Sequence, residues 1–337
     1  MKKVITLVLA ALALGPAGAF AQTAAISLSL PPTARANALG EAYVALADDA
    51  TAAWWNPAGL GFLTKKDASV THAQLVPDLA DDVFQEFLVF ALPVESWGTF
   101  AASLVYLTYG KSEARSETGE FLGEFSSYEF APVVSYGTTI ASQMGIGVNF
   151  KYVRVQLAPD LPNVPGSGKG STVAADLGLL WKVPGNLLNL GATLQNLGPD
   201  IQFVAEDRKD PIYRNLKFGF AATPFSNETV AINVVGDVNQ LMVKGEIPQS
   251  DGSTTSRYPK PIYNAGVEAN YRTKDFALAV RGGYIHDNEG SISDPTYGGG
   301  FMYKGIRLDL ASIPQAEDSD TGEKLARVTK LSLGASF

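Results

Sequence analysis

The chain has 337 residues, of which 46% are hydrophobic and 18% charged, with a formal net charge of -8 and no cysteine. This length is ample for a large core or a single large barrel. The absence of cysteine excludes disulfides, zinc–cysteine centres and thiol catalysis, and the negative balance argues against a nucleic-acid partner, which needs a positive surface.

Met1–Ala21 reads as a secretory signal peptide. Lys2 and Lys3 form its charged start, Val4–Leu14 its apolar stretch, and Ala19-Phe20-Ala21 its small-x-small cleavage site. The apolar run is too short for a membrane anchor, and no later stretch approaches ~20 uninterrupted apolar residues. An exported chain of this kind can still cross a membrane as a closed barrel of strands.

Residues 22–66 are Ala-rich and lack sustained period-two alternation. Asp49 is placed to cap a short helix over Ala50–Trp55. Asn56 precedes Pro57, which pushes it out of the helical region; it is then placed to cap a further turn that Gly59 and Gly61 end. Arg35 is a candidate partner for Asp48, Asp49 or Glu41. Trp54 and Trp55 read as packing residues.

From Asp67 to Phe337 the period becomes two. Fourteen strands are predicted: Asp67–Val76, Phe84–Leu92, Trp97–Tyr109, Phe125–Gly137, Met144–Leu157, Ser171–Val183, Leu188–Leu197, Ile212–Thr223, Glu228–Asn239, Ile262–Arg272, Asp275–Ile285, Thr296–Tyr303, Gly305–Ile313 and Val328–Phe337. Tyr263, Ala265, Val267, Ala269 and Tyr271 share one face, opposite Asn264, Glu268, Asn270 and Arg272. A soluble sandwich has the same alternation, but the connections separate the two cases. Short turns (Pro93–Ser96, Thr138–Gln143, Pro184–Asn186, Pro224–Asn227, Thr273–Lys274 and Lys304) alternate with longer loops, of which Gln240–Pro261 is the longest. Outer-membrane barrels have short periplasmic turns and long extracellular loops. On that assignment Trp97, Tyr136, Trp181, Tyr271 and Tyr303 form a periplasmic aromatic girdle, and Tyr106, Tyr128, Tyr152, Tyr213, Tyr263, Tyr284 and Tyr297 an extracellular one.

Two positions break the pattern. Pro132 lies inside a strand, where it cannot donate to the ladder; a bulge or kink is expected, with or without a route through the wall. Arg154 shares the outward parity of Tyr152 and is expected above the outer girdle. The last strand puts Thr329, Leu331, Leu333, Ala335 and Phe337 on one face. Its terminal Phe337 looks like the sorting signal that barrel-assembly machinery reads on outer-membrane proteins.

No catalytic, cofactor or metal site is read from the sequence. His72 and His286 do not form a ligand pair. Gly166-Ser167-Gly168-Lys169-Gly170-Ser171 lacks the ending of a phosphate loop and precedes a strand. Asn227-Glu228-Thr229 matches a glycosylation sequon but falls in a short periplasmic turn. Glu317, Asp318 and Asp320 are an acidic loop, either solvated or holding divalent ions near lipopolysaccharide.

The segment Ala34–Leu60, with its Leu46-Ala47-Asp48-Asp49-Ala50 and Trp54-Trp55-Asn56-Pro57-Ala58-Gly59 runs, resembles the PorV/PorQ family, and Gly299–Ala311 is similar to that family's penultimate hairpin. Ala47–Leu60 also resembles the N-terminal hatch of FadL-type transporters. The resemblance implies an all-β, fourteen-stranded antiparallel transmembrane barrel in residues 67–337, in the bacterial outer membrane, with a small helical plug in residues 22–66. It places Asp48, Asp49, Asn56, Pro57 and Gly59 in the plug. It also implies a non-enzymatic protein that receives cargo in type IX secretion or, alternatively, passes hydrophobic molecules such as long-chain fatty acids. Outer-membrane lipid and lipopolysaccharide are the remaining implied partners.

Overall fold

The computed structural model describes residues 23–77, 79–115, 118–119, 121–158, 168–185, 187–203, 209–248, 254–316 and 324–337. The predicted signal peptide, Gly166, Ser167 and the acidic residues Glu317, Asp318 and Asp320 lie outside them.

The strands are β1 (Asp67–Gln74), β2 (Val83–Val94), β3 (Gly98–Arg115), β4 (Phe121–Ala141), β5 (Met144–Gln156), β6 (Lys169–Lys182), β7 (Leu188–Leu197), β8 (Ile201–Gln202), β9 (Lys209–Asp210), β10 (Asn215–Ser226), β11 (Val230–Leu241), β12 (Gly245–Pro248), β13 (Thr254–Arg257), β14 (Ile262–Arg272), β15 (Phe276–Asp287), β16 (Ile292–Tyr303), β17 (Ile306–Ile313) and β18 (Val328–Ser336). The pairs β8/β9 and β12/β13 are small separate hairpins; the other fourteen strands form one closed barrel. Neighbours in sequence pair antiparallel, and β1 closes the ring by pairing with both β2 and β18. At that seam Lys66 and Phe337 exchange backbone hydrogen bonds of 3.1 and 2.9 Å.

The barrel is inside-out relative to a soluble fold. Its buried polar residues include Asn149, Lys151, Asp176, Lys217, Asp237, Glu268, Arg281 and Lys330, while Leu88, Phe90, Phe150, Val267, Val280, Leu308 and Leu333 are exposed. Only a hydrocarbon solvent makes that arrangement favourable, since bare apolar surface of this extent is costly in water. β18 shows the parity plainly: Leu331 and Leu333 face out, Lys330 and Ser332 face in. Among the described residues no helix is long and apolar enough to cross a membrane.

Most strand boundaries agree with the alternation to within a few residues. Four expectations are corrected. The loop expected at Gly110–Glu124 is largely ladder, because β3 and β4 continue past the barrel as a hairpin, with register shifts at Thr108/Lys111 and Ala114/Arg115 absorbing the change of direction. The loops Gly198–Pro211 and Gln240–Pro261 each contain one of the small hairpins. Tyr213 is not in the girdle; it is half-buried and packs against the internal apolar cluster, because it precedes β10 rather than lying in it. Pro132 causes no bulge. On one side it pairs in register with Leu104. On the other, the ladder steps from Phe130↔Arg154 to Val133↔Lys151 in unchanged register, skipping Ala131 and Pro132. A missing donor removes bonds on one edge without requiring an extra residue. Arg154 keeps its outward parity, opposite Phe130 and Ser171.

Candidate functional site

Residues 23–66 lie against the inward face of the wall. Their elements are a 3₁₀ turn at Ile26–Leu28, α1 (Ala34–Ala38), α2 (Ala52–Trp55) and a 3₁₀ turn at Pro57–Phe62. α2 starts two residues later than the sequence predicts. Asp49 does not cap it directly; its Oδ1 accepts from the Thr51 amide (2.9 Å) and Thr51 Oγ1 (2.5 Å), so the polar turn precedes the helix. Asn56 behaves as predicted, with extended φ and ψ of -159° and 102° and a side chain that accepts from the Ala58 amide.

Because the segment is short of regular structure, its orphan backbone groups need other partners. Inward side chains of the wall supply them. Glu129 on β4 accepts from the Ile26 and Ser27 amides at 3.0 and 2.8 Å. Gln85 on β2 donates to the Leu30 carbonyl at 2.9 Å, and Lys330 on β18 to that of Pro31. Asp237 on β11 accepts from the Tyr43 and Val44 amides at 2.8 and 3.0 Å. Asn149 on β5 and Gln195 on β7 donate to the carbonyls of Ala53 and Trp54 at 2.8 and 2.9 Å. Asn56 Nδ2 donates to the Val44 carbonyl within the segment (2.8 Å) and to Leu179 in the wall (3.0 Å).

Wall glycines make the approach close enough. A Cβ on Gly178 would overlap Asn56 Oδ1, and one on Gly147 would overlap the Pro57 backbone. Gly59 plays the same part within the segment, beside the Ala47 carbonyl. Trp54 and Trp55 are packing residues, as expected. Trp55 is fully buried, donates to Thr33 Oγ1 at 2.9 Å and meets Tyr43 edge-on. Trp54 meets Phe87 edge-on and lies under Lys151.

Charge is concentrated around Arg35. Its guanidinium contacts Asp48 (2.5 Å), Asp49 (3.6 Å) and Glu268 of β14 (2.9 Å). Two of the three predicted partners are therefore correct, and Glu41 is not among them. Glu268 also accepts from Arg281 (2.7 Å), which reaches Asp309 (2.6 Å). Arg307 binds Asp67 (2.8 Å) and comes within 3.9 Å of Asp49. Burial alone would raise the Asp49 carboxyl, but Arg307, Arg35 and the two Thr51 hydrogen bonds outweigh it and hold the group below its usual value. The network joins the segment to four strands, β1, β14, β15 and β17. Glu268, Arg281, Arg307 and Asp309 are what sequence reasoning missed; their only signal was polar identity at inward parity.

Glu41 lies elsewhere, half-buried, with φ of 68°. Loss of hydration pushes its carboxyl above the usual range against the pull of Lys217 and Lys330. A group with a raised value binds its proton more tightly in the seated state. The Glu41 contribution to seating is therefore largest at low pH and fades as pH rises from the ordinary carboxylate value through the raised one, opposite in sign to that of Asp49, whose lowered value costs seating as pH falls. Protease accessibility of the segment followed across that window should show the trend, and Glu41→Gln should flatten it.

Two further residues singled out earlier have plain roles. His72 pairs with Glu86 at 2.8 Å in the wall. Asn227 Oδ1 accepts from the Thr229 and Val230 amides, so the sequon residue builds a tight turn. Phe337 stands at the β1–β18 seam, and Pro132 lies in the wall.

The family model described as Type IX secretion system protein PorV matches residues 19–249, more than half of the chain. This chain belongs to the PorV family. No curated protein matches it significantly. Among solved structures, the toluene transporter TbuX of Ralstonia pickettii superposes with a TM-score of 0.52 at 17% identity, covering 91% of this chain and 97% of that one. The toluene transporter TodX of Pseudomonas putida gives 0.54 at 15%, with the same coverages. A FadL homologue of Pseudomonas aeruginosa gives 0.51 at 13%, covering 95% and 99%. At these identities the likeness is one of fold. The PorV family match and the FadL-like barrel fold together make the chain an outer-membrane barrel of a secretion-linked family.

Proposed function

We propose that this PorV-family barrel is a non-enzymatic, cargo-receiving component of type IX secretion, that residues 23–66 are its plug, and that its long outer loops meet the cargo. The family match over residues 19–249 carries this reading. The plug is supported by hydrogen bonds to inward side chains of β2, β4, β5, β7, β11, β14 and β18. Such a lining leaves the traffic to the outer loops. The loop Gln240–Pro261 is the first candidate, since it carries its own hairpin, β12/β13. Shortening that loop to a tight turn is expected to abolish cargo release at the cell surface and cargo co-purification, while the barrel still migrates as a heat-modifiable band. Unchanged release and co-purification would overturn the reading.

A second reading, passive transport of a hydrophobic molecule, is favoured by one observation: the ladder between β4 and β5 lacks pairs at Ala131 and Pro132. Two of the superposed structures are toluene transporters. Uptake into liposomes decides it. Native protein and Pro132→Ala both at the empty-liposome background would remove this reading.

A further inference from the structure

On the lipid-facing side, β10, β11, β14, β15 and β16 enclose an apolar groove of about 890 Å³. Its floor is made of small outward residues. Gly236 pairs with Ala265, and one step away Gly282 pairs with Val267. A Cβ built on Gly282 would meet no atom within 4 Å, so the space above this residue is open. Phe218 and Phe220 border the groove on one side and Tyr284 and Tyr297 on the other, with Tyr263 at its head. All five rings are exposed. The hydrophobic face of a barrel wall is convex, so a depression of this size reflects the run of glycine and alanine between bulky neighbours.

The groove has a polar head. Tyr263 and Tyr284 lie toward the ends of their strands that join the long loops, the level of the extracellular girdle, and Tyr297, midway along β16, pairs with Ser312 near the loop end of β17. The Arg327 guanidinium stands over the Tyr297 ring, 5.4 Å from its centroid. It is fixed there by hydrogen bonds from Nε to Ser312 Oγ (2.9 Å) and from Nη2 to the Pro295 and Ser312 carbonyls (2.8 and 2.9 Å). These bonds orient the planar cation, whose remaining Nη1 edge makes no hydrogen bond among the described residues. A guanidinium held in this way is suited to a phosphate oxygen.

We propose that this groove binds a hydrocarbon chain of a phosphorylated outer-leaflet lipid, with its phosphate on Arg327 and its chain lying over Gly282. Charge and level choose this occupant. The groove opens to the bilayer and is lined by carbon, so the group that fills it is apolar. Its head reaches the girdle beside a fixed cation, so that group carries an anion at the interface. A bound chain also restores the contacts that the open space above Gly282 forfeits.

The test uses the full-length barrel purified in detergent, titrated with lipid A and followed by native mass spectrometry. The native protein is expected to retain one lipid A. Gly282→Leu, which projects into open space and fills the groove, should weaken retention at least tenfold. Ala265→Leu should do the same from the neighbouring strand. Arg327→Gln should weaken lipid A tenfold and leave a phosphate-free diacylglycerol unchanged. Heat-modifiable migration of each variant shows that it has folded. Retention by Gly282→Leu and Ala265→Leu equal to native would overturn the proposal. So would full displacement of lipid A by inorganic phosphate, which would mean a headgroup site without a chain. Native-like lipid retention with loss of a co-purifying membrane protein in Gly282→Leu would also overturn it, giving the groove to a protein partner instead.

Discussion

Glu268→Ala is expected to release residues 23–66 from the wall and raise the ion conductance of the barrel in planar bilayers. Glu268 is fully buried and accepts from Arg35, Arg281, Asn233 and Asn270 at 2.7–3.0 Å. Truncating it leaves two guanidinium groups close together with less compensating charge. Removing one partner of a buried ion pair costs about 3–5 kcal/mol. The cost falls unevenly. Arg281 keeps Asp309, and both residues belong to the wall. Arg35 belongs to the segment and keeps Asp48, Asp49 and the Tyr43 hydroxyl, which belong to the segment too. The charge tie from Arg35 to the wall is thus lost while the ring stays closed. A seated-to-released equilibrium shifted by about 3 kcal/mol changes roughly a hundredfold. Limited proteolysis should then cut the segment at low protease concentrations that leave the native protein intact. Glu268→Gln, which keeps acceptor capacity without charge, should fall between the two. Native-like proteolysis and conductance in Glu268→Ala would mean that the remaining hydrogen bonds and packing hold the segment without the Arg35–Glu268 pair.

Asn56→Asp should be more damaging than Asn56→Ala, although it preserves the shape. The Asn56 amide donates to two carbonyls, Val44 and Leu179, and its oxygen accepts from Ala58. Alanine leaves those groups unpaired in a site with no solvent exposure, at about 1–3 kcal/mol for each unsatisfied buried group. Aspartate retains the bond from Ala58 but turns a carboxylate toward two carbonyl oxygens, replacing two attractions with two repulsions. Protonation at low pH restores a donor, so the aspartate variant should recover part of its protection from protease as pH falls, whereas the alanine variant should not. Equal behaviour at all pH values would show that the carbonyl contacts are not what anchors Asn56.

The barrel was legible because strand parity is local. Alternation at Tyr263–Tyr271 or Ile306–Leu310 is written in consecutive residues, and turn length sorts the two ends. The continuation of β3 and β4 was not legible: its segment is rich in charge and glycine and crosses two register shifts, so its parity breaks before its ladder does. Pro132 gave a true signal, but the bulge offered as one of its consequences does not form, because sequence shows a missing donor but not which edge tolerates the loss. Tyr213 was assigned to a belt by position in chain order, which says nothing of a residue that turns inward before its strand begins. In the site, the short-range features emerged, namely the Asn56 turn and the Arg35–Asp48–Asp49 cluster. Glu268 lies 233 residues from Arg35, and no local pattern encodes such a pairing. The wall glycines were equally silent. Gly147 and Gly178 read as weak points of strands until a backbone is seen lying against them.

The closed ring also constrains the order in which the molecule is built. Residues 23–66 are bonded to Gln85 on one neighbour of β1 and to Lys330 on its other neighbour, as well as to strands between them. A segment gripped from both sides of the seam is difficult to thread into a finished cylinder. The sheet is better pictured as curling round it, with the last strands laid against a segment already in place.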